Sequence, residues 1–263
     1  MSISASETSD SRAVLVTGAG QRIGRVIALA LAGAGWRVAV HYGTSHEAAE
    51  QTVADIRAAG GTAATFACDL SCEQQVSGLV AQVVDRFGRL DAVVNNAGRF
   101  EYDDAFSFSS ANLHLHLGPN LIAPILLARD LANAVKARGS QARGVVVNLL
   151  DQKLWNYNPD FLSYTLTKAA MEAANTMLAQ ALAPAIRVVG VAPGLTLPSH
   201  LQTEEAFART HAMAPLGQGS DPDTIAHAVL FALSNAAVTG TTLLVDGGQH
   251  LVGFARDFSM MQP

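Results

Sequence analysis

Two side chains suited to acid–base chemistry, Tyr164 and Lys168, lie four residues apart in the segment YTLTK. Residues at this spacing share one face of an α-helix, so both side chains would face the same site. An ammonium beside a phenol favours the phenolate, and we therefore predict that Lys168 lowers the pKa of Tyr164 toward neutrality. A surface Tyr and Lys at this spacing are common on helices, so the assignment depends on the residues around them.

A glycine-rich segment, TGAGQRIG over Thr17–Gly24, falls between the first predicted strand and the first predicted helix. Backbone N–H groups and the positive end of a helix dipole can hold a pyrophosphate at such a junction. Gly18 and Gly20 permit a tight turn and close approach of phosphates, and Gly24 lets the helix pack near the sheet. Taken alone, the segment is also compatible with a simple turn, but its place in the first β-α-β unit predicts a dinucleotide site.

The end of the second predicted strand indicates which dinucleotide is bound. NAD-binding sites of this kind place Asp or Glu there to bind the ribose 2′-hydroxyl, and that acid repels a 2′-phosphate. No acid occurs here, where the chain reads His41, Tyr42, Gly43, Thr44 and Ser45. Arg22 can pair with a phosphate, with help from the Thr44 and Ser45 hydroxyls, so we predict NADP(H). The alternative is that Arg22 is a solvated charge and Ser45 only caps the next helix.

Short β-branched runs alternate with longer segments rich in Ala and Leu, a pattern typical of a parallel sheet covered by helices. We predict a single α/β domain, a Rossmann-type doubly wound parallel sheet of about seven strands with helices on both faces. The domain spans residues 12–252, after a disordered polar tail at 1–11. A C-terminal tail at 253–263 follows, for which a contact with a neighbouring subunit and a loose end both remain open.

Two long helices are predicted in the second half of the chain. The first runs from about 112 to 138. The second covers 158–182, with Asn158 as its N-cap and Pro159 in its first position, and it ends before Pro184. Tyr164 and Lys168 therefore fall within the second helix.

Composition and charge exclude several classes of protein. Of the 263 residues, 49% are apolar and only 15% are charged, and the formal net charge of −5 argues against nucleic acid or an anionic membrane as partner. No apolar run reaches the roughly 20 residues needed to cross a bilayer, and the N-terminus lacks the features of a signal peptide. Cys68 and Cys72 are too few for a disulfide framework, so we expect reduced thiols in a cytoplasmic protein.

Four histidines raise the question of a metal site. His114 and His116 are two residues apart, a spacing that separates them on a helix, and no third ligand is evident. We expect core or interface packing for this pair. His200 and His211 fall in residues 195–219, which we expect to form a mobile lid, and both are expected at the surface. We therefore predict no metal.

The glycine-rich segment is followed by NNAG at 95–98, Asn120, YTLTK at 164–168, APG at 192–194 and TGTTLLVDGG at 239–248. In this order and spacing, the motifs resemble the short-chain dehydrogenase/reductase family over about residues 12–252. The resemblance implies a single Rossmann-type domain, hydride transfer from a nicotinamide and, commonly, a homotetramer. It also implies a proton relay between Asn120 and Lys168.

The same resemblance extends the set of residues expected to contact the cofactor. Asp69 is expected near the adenine, and Lys168 near the ribose. The full predicted set is Gly18, Gly20, Arg22, Ile23, Gly24, His41, Tyr42, Thr44, Ser45, Asp69, Leu70, Asn96, Ala97, Gly98, Lys168, Pro193, Gly194 and Thr196.

Two departures from the common family pattern point to one branch. Arg22 stands where most members have Gly, and Asp151, thirteen residues before Tyr164, stands where most have Ser. Both changes resemble the pteridine reductases and the bacterial dihydromonapterin reductases. Phe100 matches the aromatic residue that stacks on the pterin in pteridine reductases. In those enzymes a basic residue follows the strand ending HY, whereas this chain has Thr44.

A pterin-type substrate would give Asp151 a role. Reduction of a ring C=N bond requires hydride at carbon and a proton at nitrogen. A carboxyl beside Tyr164 can orient an amine-bearing heterocycle and help to relay that proton. Downstream, Trp155, Tyr157 and Phe161 either line an aromatic pocket for a flat ring or pack at a subunit interface.

We therefore predict an NADPH-dependent reductase of a dihydropteridine, with Tyr164 as proton donor and with Phe100, Asp151, Trp155 and Tyr164 in contact with substrate. A first alternative is a carbonyl reductase or secondary alcohol dehydrogenase of the same family. In that enzyme Asp151 is a tolerated replacement, and Gln152 or a water polarises the carbonyl. A second alternative is a protein that senses the cofactor without turnover. The presence of the Tyr, the Lys and Asn120 argues against it.

Overall fold

A parallel β-sheet forms the centre of the protein. The computed structural model describes residues 11–198 and 202–261. Its strands are β1 Ala13–Val16, β2 Arg37–Tyr42, β3 Ala63–Ala67, β4 Ala92–Asn95, β5 Gly144–Leu149, β6 Ile186–Pro193 and β7 Thr241–Val245. They lie in the order β3-β2-β1-β4-β5-β6-β7, and every neighbouring pair is parallel. All seven strands therefore end at the same edge of the sheet, with the change of direction between β1 and β4, where open α/β sheets bind ligands.

Helices cover both faces of this sheet, as predicted. The α-helices are α1 Arg22–Gly33, α2 His46–Ala58, α3 Glu73–Phe87, α4 Ser110–Leu117, α5 Ala123–Ala137, α6 Leu162–Leu182, α7 Glu204–His211 and α8 Pro222–Ser234. Residues of α1, α2 and α8 pack on one face, and residues of α3, α5 and α6 pack on the other. The doubly wound α/β fold predicted from the sequence is confirmed.

Burial on both faces explains why the central strands are continuous apolar runs. β1 reads AVLV and β4 reads AVVN, and every residue of both strands is buried. No helix within residues 11–198 or 202–261 has the length and apolar character needed to cross a membrane. Most of the predicted polar tail and His200 lie outside the described residues.

The helix that carries Tyr164 begins later than predicted. It starts at Leu162, so the predicted N-cap at Asn158 and first position at Pro159 are wrong. The Asn158 side chain instead accepts a hydrogen bond from the backbone N–H of Asp160, over 3.2 Å, and caps a local turn. The residue before the helix, Phe161, has a left-handed backbone with φ of 55°, which separates this turn from the helix.

The long helix predicted at 112–138 is divided in the structure. A π-helical turn, Gly118–Ile122, lies between α4 and α5 and contains both Pro119 and Asn120. Such wider turns often lie at functional sites. Pro119 cannot donate a backbone hydrogen bond, so a regular α-helix is already disfavoured at this point of the chain.

The residues expected to form a separate C-terminal tail pack against the domain of their own chain. Phe258 is only 7% exposed and begins a 3₁₀ turn, Phe258–Met260. Arg256 and Asp257 both contact Asp160, just before α6. Residues through Met261 therefore belong with the domain in this structure.

Candidate active site

A cavity of about 560 Å³ opens where the strands end. It is lined by segments that follow β1, β4, β5 and β6, together with α6 and the C-terminal residues. The predicted site residues that line it are Arg22, Ile23, Asn96, Gly98, Phe100, Asp151, Tyr164, Lys168, Pro193, Gly194 and Thr196. The parallel sheet thus collects motifs that are far apart in the sequence.

Tyr164 and Asp151 are joined by a direct hydrogen bond. The Tyr164 hydroxyl donates to Asp151 Oδ2 over 2.9 Å. Asp151 Oδ1 accepts a second hydrogen bond, of 2.8 Å, from the backbone N–H of Lys153, at the start of the 3₁₀ turn Gln152–Trp155. Because both carboxyl oxygens are engaged, Asp151 has a defined orientation toward Tyr164.

Burial is the main reason that both groups favour their neutral forms. It raises the pKa of Asp151, although the Lys153 N–H partly offsets this effect. The pKa of Tyr164 lies well above its ordinary value, first because of burial and then because of the Asp151 charge. The prediction that Lys168 brings the pKa of Tyr164 toward neutrality is therefore wrong, since lost hydration and the neighbouring carboxylates set the direction of the shift. The geometry favours Tyr164 as a neutral proton donor.

Lys168 lies one helical turn after Tyr164 on the same face of α6. Its Nζ donates to the carbonyl of Leu149, at the end of β5, over 2.6 Å and lies 5.7 Å from the centroid of the Tyr164 ring. Burial lowers the pKa of Lys168 to about 8, against the opposing effect of the Asp151 charge. The predicted clustering of Tyr164, Lys168 and Asp151 is therefore present in the structure.

Asn120 is held in place by the backbone next to the cavity. Its Oδ1 accepts from the Arg99 N–H over 2.7 Å, and its Nδ2 donates to the Arg99 carbonyl over 3.0 Å. No hydrogen bond joins Asn120 to Lys168 within the part of the chain that the structure describes. Both side chains face Gly98, where a Cβ would lie 3.3 Å from Asn120 Oδ1 and 3.8 Å from Lys168 Nζ. The predicted relay between them would therefore require a bridging water.

An aromatic group packs against the Tyr164 ring. The Phe100 ring stacks on Phe161, with centroids 4.1 Å apart, and meets Tyr164 edge-on at 4.8 Å. The segment that carries Phe100 also holds the start of α6, because Asp103 accepts hydrogen bonds from Ser163 N–H (2.9 Å) and Ser163 Oγ (2.5 Å). Asp103 is 2% exposed, and its spacing to Ser163 offered no signal in the sequence.

The glycine-rich turn leaves the start of α1 open to an anion. Gly18 has φ of +63°, and a Cβ on Gly24 would overlap the Gly18 carbonyl oxygen. No side chain caps the N-terminus of α1, so its backbone N–H groups can serve a phosphate. His41 supports this turn rather than facing the cavity: it is 2% exposed and accepts from the Gly18 N–H over 3.0 Å.

Arg22 projects into the cavity from a left-handed backbone, with φ of 52°. Its guanidinium donates to the carbonyl of Pro198 over 3.0 Å. Thr44 and Ser45, its predicted partners for a 2′-phosphate, follow β2 and do not line this cavity. Ser45 occupies the N-cap position of α2 without a side-chain hydrogen bond, so its hydroxyl is not used to cap that helix.

The remaining predicted cofactor residues surround the same strand ends. Asn96 Nδ2 donates to the Thr17 carbonyl over 2.9 Å and ties β4 to the glycine-rich turn, next to Ala97. Asp69 and Leu70 come just after β3, outside the cavity lining. The assignment of these residues to a cofactor remains a prediction.

Several residues that line the cavity were not predicted from the sequence. They are Leu149, Leu150, Leu195, Leu197, Gln202, Asp257, Phe258 and Ser259, whereas Gln152, which also lines the cavity, was predicted only for the carbonyl reductase alternative. Asp257 to Ser259 lie beyond the last recognised motif, so no spacing rule indicated them. Trp155 is 40% exposed and does not line the cavity, so the predicted contact with substrate is not supported by this geometry.

The histidines serve packing and loop structure. His116 is fully buried, and its Nε2 accepts from the Glu101 N–H over 3.2 Å, whereas His114 is exposed. His211 is half-buried and bonds to the Ser220 carbonyl over 3.0 Å, so it is only partly at the surface. Within the described residues, no group of three His, Cys, Asp or Glu side chains could hold a metal ion.

Fold, motif order and the Tyr–Lys pair define the class of protein. The chain belongs to the short-chain dehydrogenase/reductase family of oxidoreductases. The family profile described as enoyl-(acyl carrier protein) reductase matches residues 18–250.

Individual relatives extend over nearly the whole chain. One solved structure, FolM alternative dihydrofolate reductase 1 from Brucella suis in complex with NADP, is 39% identical, with a TM-score of 0.88, and covers 93% of this chain and 97% of its own. An uncharacterized oxidoreductase from Methylorubrum extorquens is 35% identical over 91% of this chain and 98% of its own. The 7alpha-hydroxysteroid dehydrogenase of Escherichia coli K12 is 32% identical over 91% of this chain and 94% of its own.

Proposed function

We propose that this protein is an NADPH-dependent reductase that acts on a pterin-type (dihydropteridine) substrate. The observation that carries the proposal is the 2.9 Å hydrogen bond between Tyr164 and Asp151, in a cavity that Phe100 also lines. The similarity to an alternative dihydrofolate reductase from Brucella suis supports it, because dihydrofolate contains a dihydropteridine ring.

The residues present fit a dinucleotide with an additional phosphate. The uncapped N-terminus of α1 suits a pyrophosphate, and a side chain at Gly24 would close the turn. We assign Thr44 and Ser45, which follow β2, to the 2′-phosphate, and Lys168, which lines the cavity, to the nicotinamide ribose. The Brucella suis neighbour was crystallised with NADP, which supports the same choice here.

NADPH, when bound, supplies a hydride to a ring carbon of the substrate. Tyr164 supplies the proton to the adjacent ring nitrogen. While Asp151 is ionised, the Tyr164 O–H bond points at Oδ2 of that carboxylate. Protonation of Asp151 allows this hydrogen bond to reverse, which releases the Tyr164 proton for the substrate and provides its replacement. The raised pKa of Asp151 places this protonated form nearer to neutral pH.

Carbonyl reduction is the second candidate function. The similarity to the 7alpha-hydroxysteroid dehydrogenase of Escherichia coli K12 favours it. Gln152 lines the cavity and could polarise a carbonyl next to Tyr164. Oxidation of an alcohol fits less well, because it needs a phenolate as base and the pKa of Tyr164 is raised.

The decisive experiment follows NADPH oxidation at 340 nm with purified protein. Dihydrobiopterin and dihydromonapterin are compared with a panel of ketones in wild type, in Asp151→Ser and in the surface control Asp55→Asn. We expect pterin turnover in wild type and in the control, and a loss of about 10²-fold in Asp151→Ser. Turnover of ketones alone, preserved in Asp151→Ser, would instead establish a carbonyl reductase.

A homotetramer in the cytoplasm is also part of this proposal. One face of α6 exposes a stripe of small and apolar side chains, Leu166, Ala170, Ala173 and Met177. Met177 is 67% exposed, which is unusual for so apolar a residue unless a partner covers it. Both cysteines are free thiols, in keeping with a reducing compartment.

A further inference from the structure

The last described residues of the chain form one wall of the cavity. Asp257, Phe258 and Ser259 line it together with Asp151 and Tyr164. Asp257 lies near enough for its charge to raise the pKa values of both Asp151 and Tyr164. The position of these residues therefore affects the same groups that carry the chemistry.

Two contacts with Asp160 anchor this wall. The Arg256 guanidinium donates to both carboxylate oxygens of Asp160, over 2.8 to 3.1 Å, and the Asp257 N–H donates to Oδ2 over 2.8 Å. Asp160 is 1% exposed, and a buried carboxylate is stable only when donors such as these replace its lost hydration. On the other side, Gln202 Nε2 donates to the Phe258 carbonyl over 3.2 Å, which joins the wall to the segment before α7.

Lys153 connects the wall to the catalytic carboxyl. Its side chain is 4% exposed, and its Nζ donates to the Asp160 carbonyl (2.5 Å) and to Asp257 Oδ2 (3.2 Å). Its backbone N–H is the donor that holds Asp151 Oδ1. A buried ammonium that loses a carboxylate partner is strongly destabilised, so loss of the Asp257 charge would displace Lys153 and, with it, Asp151.

We propose that residues 253–261, the C-terminal wall, belong to the substrate site of their own chain and that Asp257 is a positioning residue that orients Asp151 through Lys153. The kinetic part of this inference rests on the proposed pterin reduction. The structural part, coupling of the wall to residues 151–161, does not depend on any substrate.

The test measures both parts on the full chain. Hydrogen exchange followed by mass spectrometry compares wild type with Asp257→Asn, Arg256→Gln and the control Asp55→Asn, which removes a half-exposed ion pair with Arg25 outside the cavity lining. We expect the 151–161 backbone to exchange faster than in wild type in the first two variants. In the control we expect the wild-type exchange rate. In the dihydrobiopterin assay we expect Asp257→Asn to lose about tenfold in kcat, with NADPH affinity, read from its fluorescence, unchanged within about twofold. Asp257→Glu should recover part of the loss.

Unchanged exchange at 151–161 in both wall variants would overturn the inference. If Asp257→Asn does not fold, Arg256→Gln carries the exchange test, because Arg256 is at the surface. A fall in NADPH affinity equal to the fall in kcat/KM would also overturn it, since the whole site would then be disturbed. Absence of pterin turnover in wild type, with faster exchange in the variants, would reject the proposed function and leave the coupling established.

Discussion

The ionisation of Asp151 cannot be separated from that of Tyr164, because one hydrogen bond joins them in a buried site. With a carboxylate beside it, Tyr164 stays protonated and little phenolate is available to act as a base. With a carboxylic acid beside it, Tyr164 can donate its proton and receive another from Asp151. A Ser in place of Asp151 could neither shift the pKa of Tyr164 in this way nor return a proton to it. The side chain at this single position therefore favours reduction.

This pairing predicts the acid side of the pH profile. Because the pKa of Asp151 is raised, the fraction of protonated Asp151 increases as the pH falls from neutrality. We expect kcat for dihydropterin reduction to rise over the same range in wild type and to become flat in Asp151→Asn. The measurement is steady-state NADPH oxidation across pH, with Asp55→Asn as the control that keeps the wild-type slope. An equal slope in Asp151→Asn would assign the proton to another group.

The ionisation of Lys168 predicts how the reaction rate changes at alkaline pH. Its pKa is lowered to about 8, so its ammonium is lost as the pH rises through that value. We expect kcat/KM to fall above pH 8 in wild type. In Lys168→Arg we expect a lower rate without this fall, since a guanidinium keeps its charge. A decline at the same pH in the Arg variant would contradict the assignment to Lys168.

Spacing in the sequence identified the members of this group but not their electrostatics. Tyr164 and Lys168 belong to one helical turn, and Asp151 to the strand end before it, so their proximity follows from local rules. The direction of the pKa shift of Tyr164 depends on burial by residues from several elements. That burial includes the C-terminal wall, which no local pattern could reveal.

At the level of elements, the catalytic helix α6 depends on a cap from a distant segment. Asp103 accepts both Ser163 hydrogen bonds at its N-terminus, while Phe161 closes the turn before it. We expect Asp103→Ala to lower the free energy of unfolding by about 1–2 kcal/mol and to speed exchange at 162–165.

Urea denaturation and hydrogen exchange provide the measurement of this cap. Asp103→Asn is the matched control, because its amide keeps an acceptor for the Ser163 N–H. If Asp103→Ala and wild type exchange equally at 162–165, the cap does not hold the helix.

Helix boundaries show where local prediction ends. Asn158 and Pro159 form a strong helix-start signal, yet Asp160 is engaged by Arg256 and Asp257, about 96 residues later in the chain. Tertiary contacts of this kind override local propensity. At the start of α8, by contrast, the local signal is kept, because Asp221 caps this helix with a full capping box.

For the whole molecule, Asp91, just before β4, links the start of β1 to the end of α5. It is 4% exposed and accepts from the Ala13 N–H (2.9 Å), Arg89 (2.7 Å) and Arg138 (2.6 Å). Burial alone would raise the pKa of Asp91, but these donors outweigh it and the net shift is downward. The stabilisation is therefore present above the unfolded pKa, near 3.9, and is lost as the pH falls through the lower folded value.

We expect Asp91→Asn to lower the free energy of unfolding by about 3 kcal/mol at pH 7. The difference from wild type should shrink below about pH 4, because protonation of Asp91 removes the stabilisation that its carboxylate gives the folded state. Urea denaturation of both proteins at a series of pH values measures it. A gap that is constant with pH would show that Asp91 acts through packing rather than charge.

Assembly is the remaining property of the whole molecule. If the apolar stripe of α6 is a subunit contact, Met177→Asp should reduce the mass measured by size exclusion with light scattering, while the monomer stays folded. A monomeric wild type would contradict the proposed tetramer.

The sheet order and helix layers were predictable because each βαβ unit follows local rules. The subunit contact was indicated only by resemblance.

The position of the C-terminal wall has a consequence for how the protein is made. Synthesis proceeds from the N-terminus, so every strand of the sheet leaves the ribosome before residues 253–261 do. The site would therefore be completed only after all seven strands, the glycine-rich turn and the Tyr164 helix have been synthesised.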